Sequence, residues 1–253
     1  MIDVAGLGRR YGDVVAVDGV SFQVATGELL ALVGGSGSGK TTTLKMINRL
    51  VEPSAGRVTI DGKDAAAVEP HVLRRSIGYA FQGVGLFPHL TVAENVAVPL
   101  RLAGWSRERI HARVDELLAL LELDGSLLAR FPAELSGGQQ QRVGVARALA
   151  ASPRVILLDE PFGALDPLTR DRLQGSFDAL RRRLGLTAVF VTHDVAEALV
   201  LADRIGVMRA GRLIQLGTPA EMARRPADED VARLLDTPRR QARVVASRFE
   251  PAP

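Results

Sequence analysis

The 253-residue chain contains no cysteine. That absence excludes disulfide bonds, cysteine-ligated zinc and thiol catalysis, and it fits a reducing compartment. The first residues lack the basic start and the apolar stretch of a signal peptide, so we expect none. No apolar run approaches the roughly 20 residues that a helix needs to cross a bilayer. We therefore expect any role at a membrane to depend on a partner protein.

Lysine is also scarce, because Lys40, Lys45 and Lys63 are the only lysines among 32 basic residues. The formal net charge is +3. A weak positive balance could suit nucleic acid or an anionic membrane face, but a solvated surface explains it more simply. Apolar residues make up 47% of the chain, which is enough for the core of one large domain or two small ones.

The order of sequence patterns predicts a mixed α/β fold. Apolar runs between Val4 and Leu32, separated by turns at Gly12-Asp13, Asp18-Gly19 and Thr26-Gly27, indicate antiparallel strands. A fully apolar run at 29–33 and apolar runs that end in a polar residue at 155–159 and 188–192 indicate buried parallel strands, with helices at 39–50 and 167–184. A strand with a turn is predicted at 58–62 and a hairpin at 205–216.

Two further regions differ from this core in pattern. Residues 88–151 are helical in pattern, and one helix has a single apolar face and a start that Ser106 would cap. The tail after Pro219 is polar, rich in arginine and interrupted by proline. There we predict a short helix and a loose end.

One glycine-rich segment fits the phosphate-loop pattern G-x-x-x-x-G-K-[ST]. This phosphate loop consists of Gly34, Gly35, Ser36, Gly37, Ser38, Gly39, Lys40 and Thr41, and Thr42 follows it. Glycines let successive amides surround a phosphate, and the next helix directs its free N–H groups at the same anion. Lys40 can reach the β- and γ-phosphates, and the Thr41 hydroxyl can ligate Mg²⁺. A flexible linker, the alternative, would not lie between a core strand and an amphipathic helix.

An acidic pair, Asp159 and Glu160, ends a predicted core strand. Ligands bind at the carboxyl ends of strands in such sheets. Asp159 would hold Mg²⁺, directly or through water, and Glu160 would polarise the attacking water. Alone, such a pair is as often a surface turn, but together with the phosphate loop it indicates nucleotide hydrolysis.

The segment 135–139, Leu-Ser-Gly-Gly-Gln, opens a helix predicted over 140–151. It resembles the signature of ATP-binding cassette proteins, and the resemblance runs from about Val4 to Gly217 with every expected motif in order. It implies a P-loop NTPase (RecA-like) fold: a parallel-sheet core, an N-terminal antiparallel β-subdomain and an inserted helical subdomain. The expected cassette covers 1–220, with 88–152 as the helical subdomain between 1–87 and 153–220. A short extension follows at 221–253.

The resemblance also implies roles for single residues. Tyr11 matches an aromatic that stacks on adenine, and stacking of this kind contributes about 1–3 kcal/mol per base. Gln82 matches a glutamine that ligates Mg²⁺ and senses the γ-phosphate, His193 matches the γ-phosphate histidine, and Asp166 matches a loop that crosses a dimer interface. The alternatives are a packed strand tyrosine, an exposed loop glutamine and a structural histidine.

The signature itself is an anion-binding helix start, in which Ser136, Gly137, Gly138 and Gln139 would meet a phosphate. Because Lys40 already marks one phosphate site, family architecture implies a second copy. Two protomers pack head to tail, and each signature closes on the ATP held by its partner's phosphate loop. Hydrolysis then removes the γ-phosphate contacts and the dimer opens. We expect a Mg²⁺-dependent ATPase whose partner is an identical chain, or else a different ATPase subunit.

The segment from Gly83 to Leu90 matches the groove that receives a cytoplasmic helix of a transmembrane permease, with Leu86, Phe87 and Leu90 as apolar contacts. Ordinary packing is the alternative. This segment, 42–50 and 139–147 resemble the ATPases of glycine betaine, choline and related osmoprotectant importers. That resemblance implies the cytoplasmic face of the cell membrane and, indirectly, a solute-binding protein. Importers of amino acids, sulfonate or nitrate are the alternative, because an ATPase subunit does not contact the solute.

Three features limit other functions. Many osmoprotectant ATPases carry a pair of regulatory CBS modules, and we expect none here, because the expected extension over 221–253 is too short to form them. Soluble nucleic-acid ATPases of this family usually have coiled-coil insertions or two cassettes, so we expect no nucleic acid, although Arg239, Arg240, Arg243 and Arg248 would suit it. Glu160 and His193 disfavour a binding module without turnover.

Overall fold

In the computed structural model of the protein, residues 1–81, 83, 85–163 and 165–249 are described. The strands are β1 (Ile2–Tyr11), β2 (Val14–Val24), β3 (Leu29–Val33), β4 (Ala55–Ile60), β5 (Lys63–Asp64), β6 (Ile77–Ala80), β7 (Val155–Asp159), β8 (Thr187–Thr192), β9 (Arg204–Arg209) and β10 (Arg212–Gly217). The helices are α1 (Lys40–Ile47), α2 (Pro70–Ser76), α3 (Val92–Leu102), α4 (Arg107–Leu120), α5 (Gly137–Leu149), α6 (Pro167–Leu184), α7 (Val195–Leu201), α8 (Pro219–Arg224) and α9 (Glu229–Phe249).

A six-stranded sheet with the order β10-β9-β3-β8-β7-β6 runs through the core. The strands from β9 to β6 are parallel, and β10 pairs antiparallel with β9. Every residue of β3, β7 and β8 is buried, as their predominantly apolar sequences predict for strands covered on both faces. Because parallel strands end at the same edge, the segments that follow β3, β6, β7 and β8 emerge side by side.

A second sheet, with the order β2-β1-β4-β5, is antiparallel throughout. It confirms the predicted antiparallel strands near the N-terminus, and the predicted turn at Gly12-Asp13 joins β1 to β2. The predicted turn at Asp18-Gly19 is wrong, because both residues lie inside β2. The ladder shifts register there and Gly19 has φ of 64°, so this glycine forms a β-bulge.

The predicted helical region forms α3, α4 and α5, whose apolar faces belong to the same buried cluster as the parallel sheet. The Ser106 hydroxyl accepts a hydrogen bond from the Arg109 amide and caps α4, as predicted. Helix α5 begins at Gly137, ahead of the predicted start at 140, because Ser136 and Gln139 form a reciprocal capping box. The pattern therefore identified these helices, while capping chemistry set where they begin.

Several elements differ from the sequence prediction. Helix α1 ends at Ile47, before the predicted end near residue 50, because Arg49 takes left-handed φ of 55°. The short elements α2, β6 and α7 were not predicted at all. The predicted loose tail is wrong as well, because α8 is followed by the 21-residue α9. Val231 and Leu235 of α9 are buried in the main core cluster, and this packing supports the helix.

Within the described ranges, no helix is both long and apolar enough to span a bilayer.

Candidate functional site

The phosphate loop packs closely against β2 of the antiparallel sheet and β9 of the parallel sheet. A Cβ on Gly34, which has φ of 154°, would lie 2.2 Å from the Met208 carbonyl oxygen. A Cβ on Gly39, which has φ of 97°, would lie 2.6 Å from the Ala16 carbonyl oxygen. Any other residue at either position would collide with backbone, so glycine is required there. The loop is consequently fixed in place within one chain.

The intervening residues Gly35, Ser36 and Gly37 are exposed, while the Lys40 side chain is buried. Lys40 Nζ donates to the carbonyl oxygens of Gly34 (2.8 Å) and Gly35 (2.9 Å). Burial lowers the pKa of Lys40, against the opposing effect of the nearby carboxylates. A cation held only by neutral acceptors in a curled loop is suited to exchange them for phosphate oxygens.

Thr41 and Asp159 bring two oxygen ligands together at the start of α1. The Thr41 hydroxyl donates to Asp159 Oδ1 over 2.9 Å, and Asp159 is 1% exposed. Burial raises the pKa of Asp159, although the Thr41 hydrogen bond and the charge of Lys45 oppose the shift. The buried Tyr79 hydroxyl is nearby, and burial together with the Asp159 charge raises its pKa.

This donor set fits Mg²⁺, which prefers hard oxygen ligands and usually takes one or two carboxylates together with phosphate oxygens. Among the described residues, no group of three histidine, cysteine, aspartate or glutamate side chains could hold a metal without such help. Thr41 and Asp159 therefore suit a metal that arrives with the nucleotide. Gln82, the third predicted ligand, lies outside the described residues, so its role stays a prediction.

Glu160 has left-handed backbone, with φ of 50°. Its amide donates to the Val191 carbonyl over 2.9 Å, and its carbonyl accepts from Gln141 Nε2 over 2.9 Å. Its Oε1 lies 3.2 Å from Nδ1 of His193, whose side chain is 66% exposed. The strand ends therefore bring the two predicted catalytic residues, Glu160 and His193, into contact. Sequence reasoning missed Gln141, which is part of the next helical turn after the signature.

An ion-pair network joins the segment after Glu160 to the segment around His193. Arg170 donates to the Leu165 carbonyl over 3.3 Å and lies 3.3 Å from Asp194 Oδ2. It also lies 3.8 Å from Glu197. Arg170 and Glu197 were not predicted, and the only signal was their spacing of four from Asp166 and His193.

Two local contacts complete this network. Asp166 caps α6 by accepting from the Thr169 amide over 3.0 Å, and the hydrogen bonds from Thr169 lower the pKa of Asp166. The Thr192 hydroxyl donates to the buried Glu197 over 2.6 Å, and burial raises the pKa of Glu197. Asp166 thus has a structural role in its own chain, and its predicted role across a dimer interface stays a prediction.

The signature lies at an exposed helix start. The Ser136 hydroxyl and the Gln139 side chain bond each other's backbone amides. Ser136 and Gly137 are exposed, and nothing lies within 4 Å of a Cβ built on Gly137. The first-turn N–H groups of a helix have no partner within it. In the described part of the chain, no hydrogen bond connects Ser136 or Gln139 with the phosphate loop.

Tyr11 lies at the end of β1 and is 46% exposed. The Arg9 guanidinium lies 4.5 Å from the centre of its ring, so a cation–π contact covers one face. The ring is not a packed strand residue, and its predicted stacking on adenine stays a prediction.

The predicted docking of a permease helix at segment 83–90 stays a prediction, and Val84 lies outside the described residues. Leu86 is half-buried and packs against the core, which agrees with the alternative of ordinary packing for this side chain. Phe87 is 41% exposed. The buried Asn95 side chain accepts from the Phe87 amide and donates to the Phe87 and Leu90 carbonyls. A fixed loop therefore presents Phe87 at the surface.

Comparison with known proteins agrees with this geometry. A family model described as ABC transporter matches residues 17–163. The chain belongs to the ABC transporter family. A solved dimeric structure of an ATP-binding cassette in a post-hydrolysis state, bound to ADP and Pi, has a TM-score of 0.80 at 34% identity, covering 86% of this chain and 98% of that one. This match confirms the predicted P-loop NTPase fold with its two sheets.

Two relatives from this family are transport proteins. The chain is 52% identical over 236 residues to the glycine betaine/carnitine/choline transport ATP-binding protein OpuCA of Bacillus subtilis (strain 168), covering 93% of this chain and 62% of that protein. It is 50% identical over 231 residues to the glycine betaine uptake system ATP-binding protein YehX of Escherichia coli (strain K12), covering 91% and 75%. The chain thus spans less than two thirds of the length of OpuCA.

Proposed function

We propose that the chain is the Mg²⁺-dependent, ATP-hydrolysing subunit of an importer. One observation carries this proposal: Lys40, the Thr41–Asp159 pair and Glu160 meet at the edge of the sheet where the parallel strands β3 and β7 end. That edge is where sheets of this type bind nucleotides. We further propose that 1–87 and 153–220 form the core of a cassette over 1–220, with 88–152 inserted as its helical subdomain and 221–253 as an extension.

In this mechanism Lys40 leaves the Gly34 and Gly35 carbonyls and donates to the β- and γ-phosphates. Bound Mg²⁺, held by Thr41, Asp159 and Gln82, would offset the negative charge of the phosphates. The Glu160 carboxylate orients the attacking water and accepts its proton. His193, which contacts Glu160 Oε1 through Nδ1, would donate to the γ-phosphate. Tyr11 would stack on the adenine.

The exposed signature supports a head-to-tail dimer. Its free N–H groups form a second anion site that the phosphate loop of the same chain does not fill, and a partner's ATP would. The solved cassette to which this chain is similar is dimeric. We propose an identical second chain as the partner and Asp166 as a contact across the interface.

The similar transport proteins support an osmoprotectant, of the glycine betaine or choline type, as the solute. The subunit would then lie at the cytoplasmic face of the membrane, where the exposed Phe87 docks a permease helix and a solute-binding protein supplies the solute. The ATPase contacts no solute, so transport must be measured directly.

Nucleotide binding is tested with Lys40→Ala. We expect a loss of ATP affinity in calorimetry, because the phosphates lose their main cation. Lys63→Ala, at the exposed strand β5, is the matched control and should bind ATP as the wild type does. Equal affinities for Lys40→Ala and wild type would refute the phosphate-loop assignment.

Transport is tested in proteoliposomes that contain the protein with the permease that co-purifies with it. We expect ATP-dependent uptake of labelled glycine betaine or choline in the presence of a solute-binding protein. Uptake of an amino acid, sulfonate or nitrate instead would leave the ATPase proposal standing and overturn the osmoprotectant assignment. Phe87→Asp should abolish co-purification and leave ATP binding intact.

A further inference from the structure

Glu160 has a backbone conformation that needs external support. A φ of 50° is uncommon outside glycine, and such conformations persist where surrounding contacts fix them. Here both backbone polar groups of Glu160 are held by other elements. Its amide donates to Val191 in the neighbouring strand β8, and its carbonyl accepts from Gln141 Nε2 in α5 over 2.9 Å and from the local Gly163 amide over a longer 3.3 Å. The direction of the Glu160 carboxylate therefore depends on where α5 lies.

Helix α5 connects two parts of the proposed mechanism: the exposed signature at its start and the Gln141 side chain, which contacts Glu160. Ser136 caps its exposed start. Gln141 lies a little more than one turn further along the helix, and its side chain is buried, at 9% exposed. A Cβ on Gly138 would lie 3.0 Å from Leu165, so the same turn also contacts the segment before α6. Because the residues of a helix move together, displacement of Ser136 also displaces the Gln141 amide.

We propose that Gln141 is a positioning residue that couples closure of the signature on the partner's ATP to the orientation of Glu160 at the chain's own ATP. This proposal rests on the proposed function. When the signature meets the partner's phosphate, α5 shifts and the Gln141 hydrogen bond turns the Glu160 peptide. Each site then acquires its active glutamate only after the other nucleotide has been enclosed, which makes hydrolysis cooperative.

The chemistry needs an N–H donor of this length at position 141. Methionine has a similar shape without a donor, and glutamate has nearly the same shape but would face the Glu160 carbonyl with an acceptor. Both substitutions should remove the hydrogen bond that ties the Glu160 carbonyl to α5, while the bonds to Val191 and Gly163 and the phosphate loop stay in place. Gln174 in α6 offers a matched control, because it is similarly buried, at 8% exposed, and its Nε2 has no hydrogen-bond partner among the described residues.

The experiment compares wild type, Gln141→Met, Gln141→Glu and Gln174→Met for kcat, ATP dissociation constant, Hill coefficient for ATP and Tm. For both Gln141 variants we expect kcat to fall about 100-fold, the effect of a misplacement near 1 Å. The Hill coefficient should approach 2 in wild type, because the number of coupled sites sets its upper limit. In the Gln141 variants it should fall to about 1. ATP affinity should stay within twofold, and Gln174→Met should keep the wild-type kcat and Hill coefficient.

A second measurement separates positioning from folding. Gln141→Met in a Glu160→Gln background should still form the ATP-dependent dimer, because binding and closure precede the step that Gln141 serves. Wild-type kcat and Hill coefficient in the Gln141 variants, or an equal loss in Gln174→Met, would overturn the coupling. If wild type binds and hydrolyses no ATP, the proposed function fails as well. Cooperative hydrolysis in both wild type and the Gln141 variants would refute the coupling alone.

Discussion

The phosphate loop and the signature are both glycine-containing helix starts, yet their surroundings differ. In the phosphate loop, a Cβ on Gly34 or Gly39 would approach a backbone oxygen to 2.2 or 2.6 Å, and Lys40 is buried. In the signature, Ser136 and Gly137 are exposed, and space is open around Gly137. Similar local sequences therefore form one helix start that is packed against its own chain and one that is left open.

This difference shows how a helix start becomes a binding site. Both helix starts have free N–H groups. The phosphate loop is also held in shape by its packing against β2 and β9, and it contains the Lys40 cation. The signature is fixed by its own capping box and by the contact of Gly138 with Leu165, while Ser136 and Gly137 at its start stay exposed. We call the phosphate loop and the signature the two half-sites. The phosphate loop should hold ATP in the monomer, whereas the signature should act only when another chain brings a nucleotide to it.

The largest effect is expected from Glu160→Gln. This variant should keep the signature of each chain closed on the ATP that its partner's phosphate loop holds. Loss of the carboxylate that accepts a proton from water should lower kcat by about 10²–10⁴-fold, the usual range for general-base catalysis. ATP should remain bound and hold two chains together, as size-exclusion chromatography with light scattering would show. Turnover at the wild-type rate would disprove the role of Glu160.

The next effect contrasts Gly39→Ala with Gly137→Ala. At Gly39 the added methyl group meets the Ala16 carbonyl and φ is 97°, so we expect a stability loss of at least about 1–3 kcal/mol and loss of ATP binding. At Gly137 the methyl group enters open space, and the Tm should change little. Calorimetry measures the ATP affinity of both variants, and thermal unfolding measures their stability. Equal effects at the two glycines would remove the distinction between the half-sites.

Ser136→Arg tests whether the exposed half-site serves a second chain. A large side chain there should block closure, so the Glu160→Gln background should no longer dimerise with ATP. Monomeric ATP affinity should stay within about twofold, because among the described residues no hydrogen bond links Ser136 to the phosphate loop. Ser126→Arg, also exposed in the helical region, is the control and should dimerise normally. Efficient dimerisation of Ser136→Arg would contradict the head-to-tail arrangement.

The smallest effect concerns Asp159 and pH. Burial raises the pKa of Asp159, so the folded state binds its proton more tightly than the unfolded state does. Without nucleotide, its charged form therefore lowers stability above the folded pKa, and the loss disappears as pH falls through that pKa. Asp159→Asn should raise the Tm at neutral pH by a few degrees, since 1 kcal/mol corresponds to about 2–4 °C.

Thermal unfolding from pH 7.5 down to pH 4 should show this gain in Tm shrinking as pH falls. With Mg²⁺ and ATP the order should reverse, because only wild type keeps the metal ligand and gains stability from the bound nucleotide. An Asp159→Asn variant that is less stable than wild type without nucleotide at neutral pH would contradict the assigned cost of burying the Asp159 charge.

Much of the fold could be predicted because its signals are local. Buried strands such as β3 and β7 are short runs of apolar residues, which end in Asp159 in β7, and the apolar periodicity and the Ser106 cap of α4 mark a helix. The short elements α2, β6 and α7 have too few residues to show a period. The tail was mispredicted because Pro238 and the arginines suggested an irregular end, whereas burial of Val231 and Leu235 stabilises α9.

By itself the sequence determined the phosphate loop, the acidic pair, the signature and the parallel sheet, since each depends on neighbouring residues or on a repeated period. Only the tertiary structure decided that Gln141 holds the Glu160 carbonyl, that Arg170 links Leu165 to Asp194, and that Leu86 packs inward. These contacts join segments far apart in the chain. Their existence depends on the packing of helices on the sheet to within a hydrogen-bond length, which no local pattern encodes.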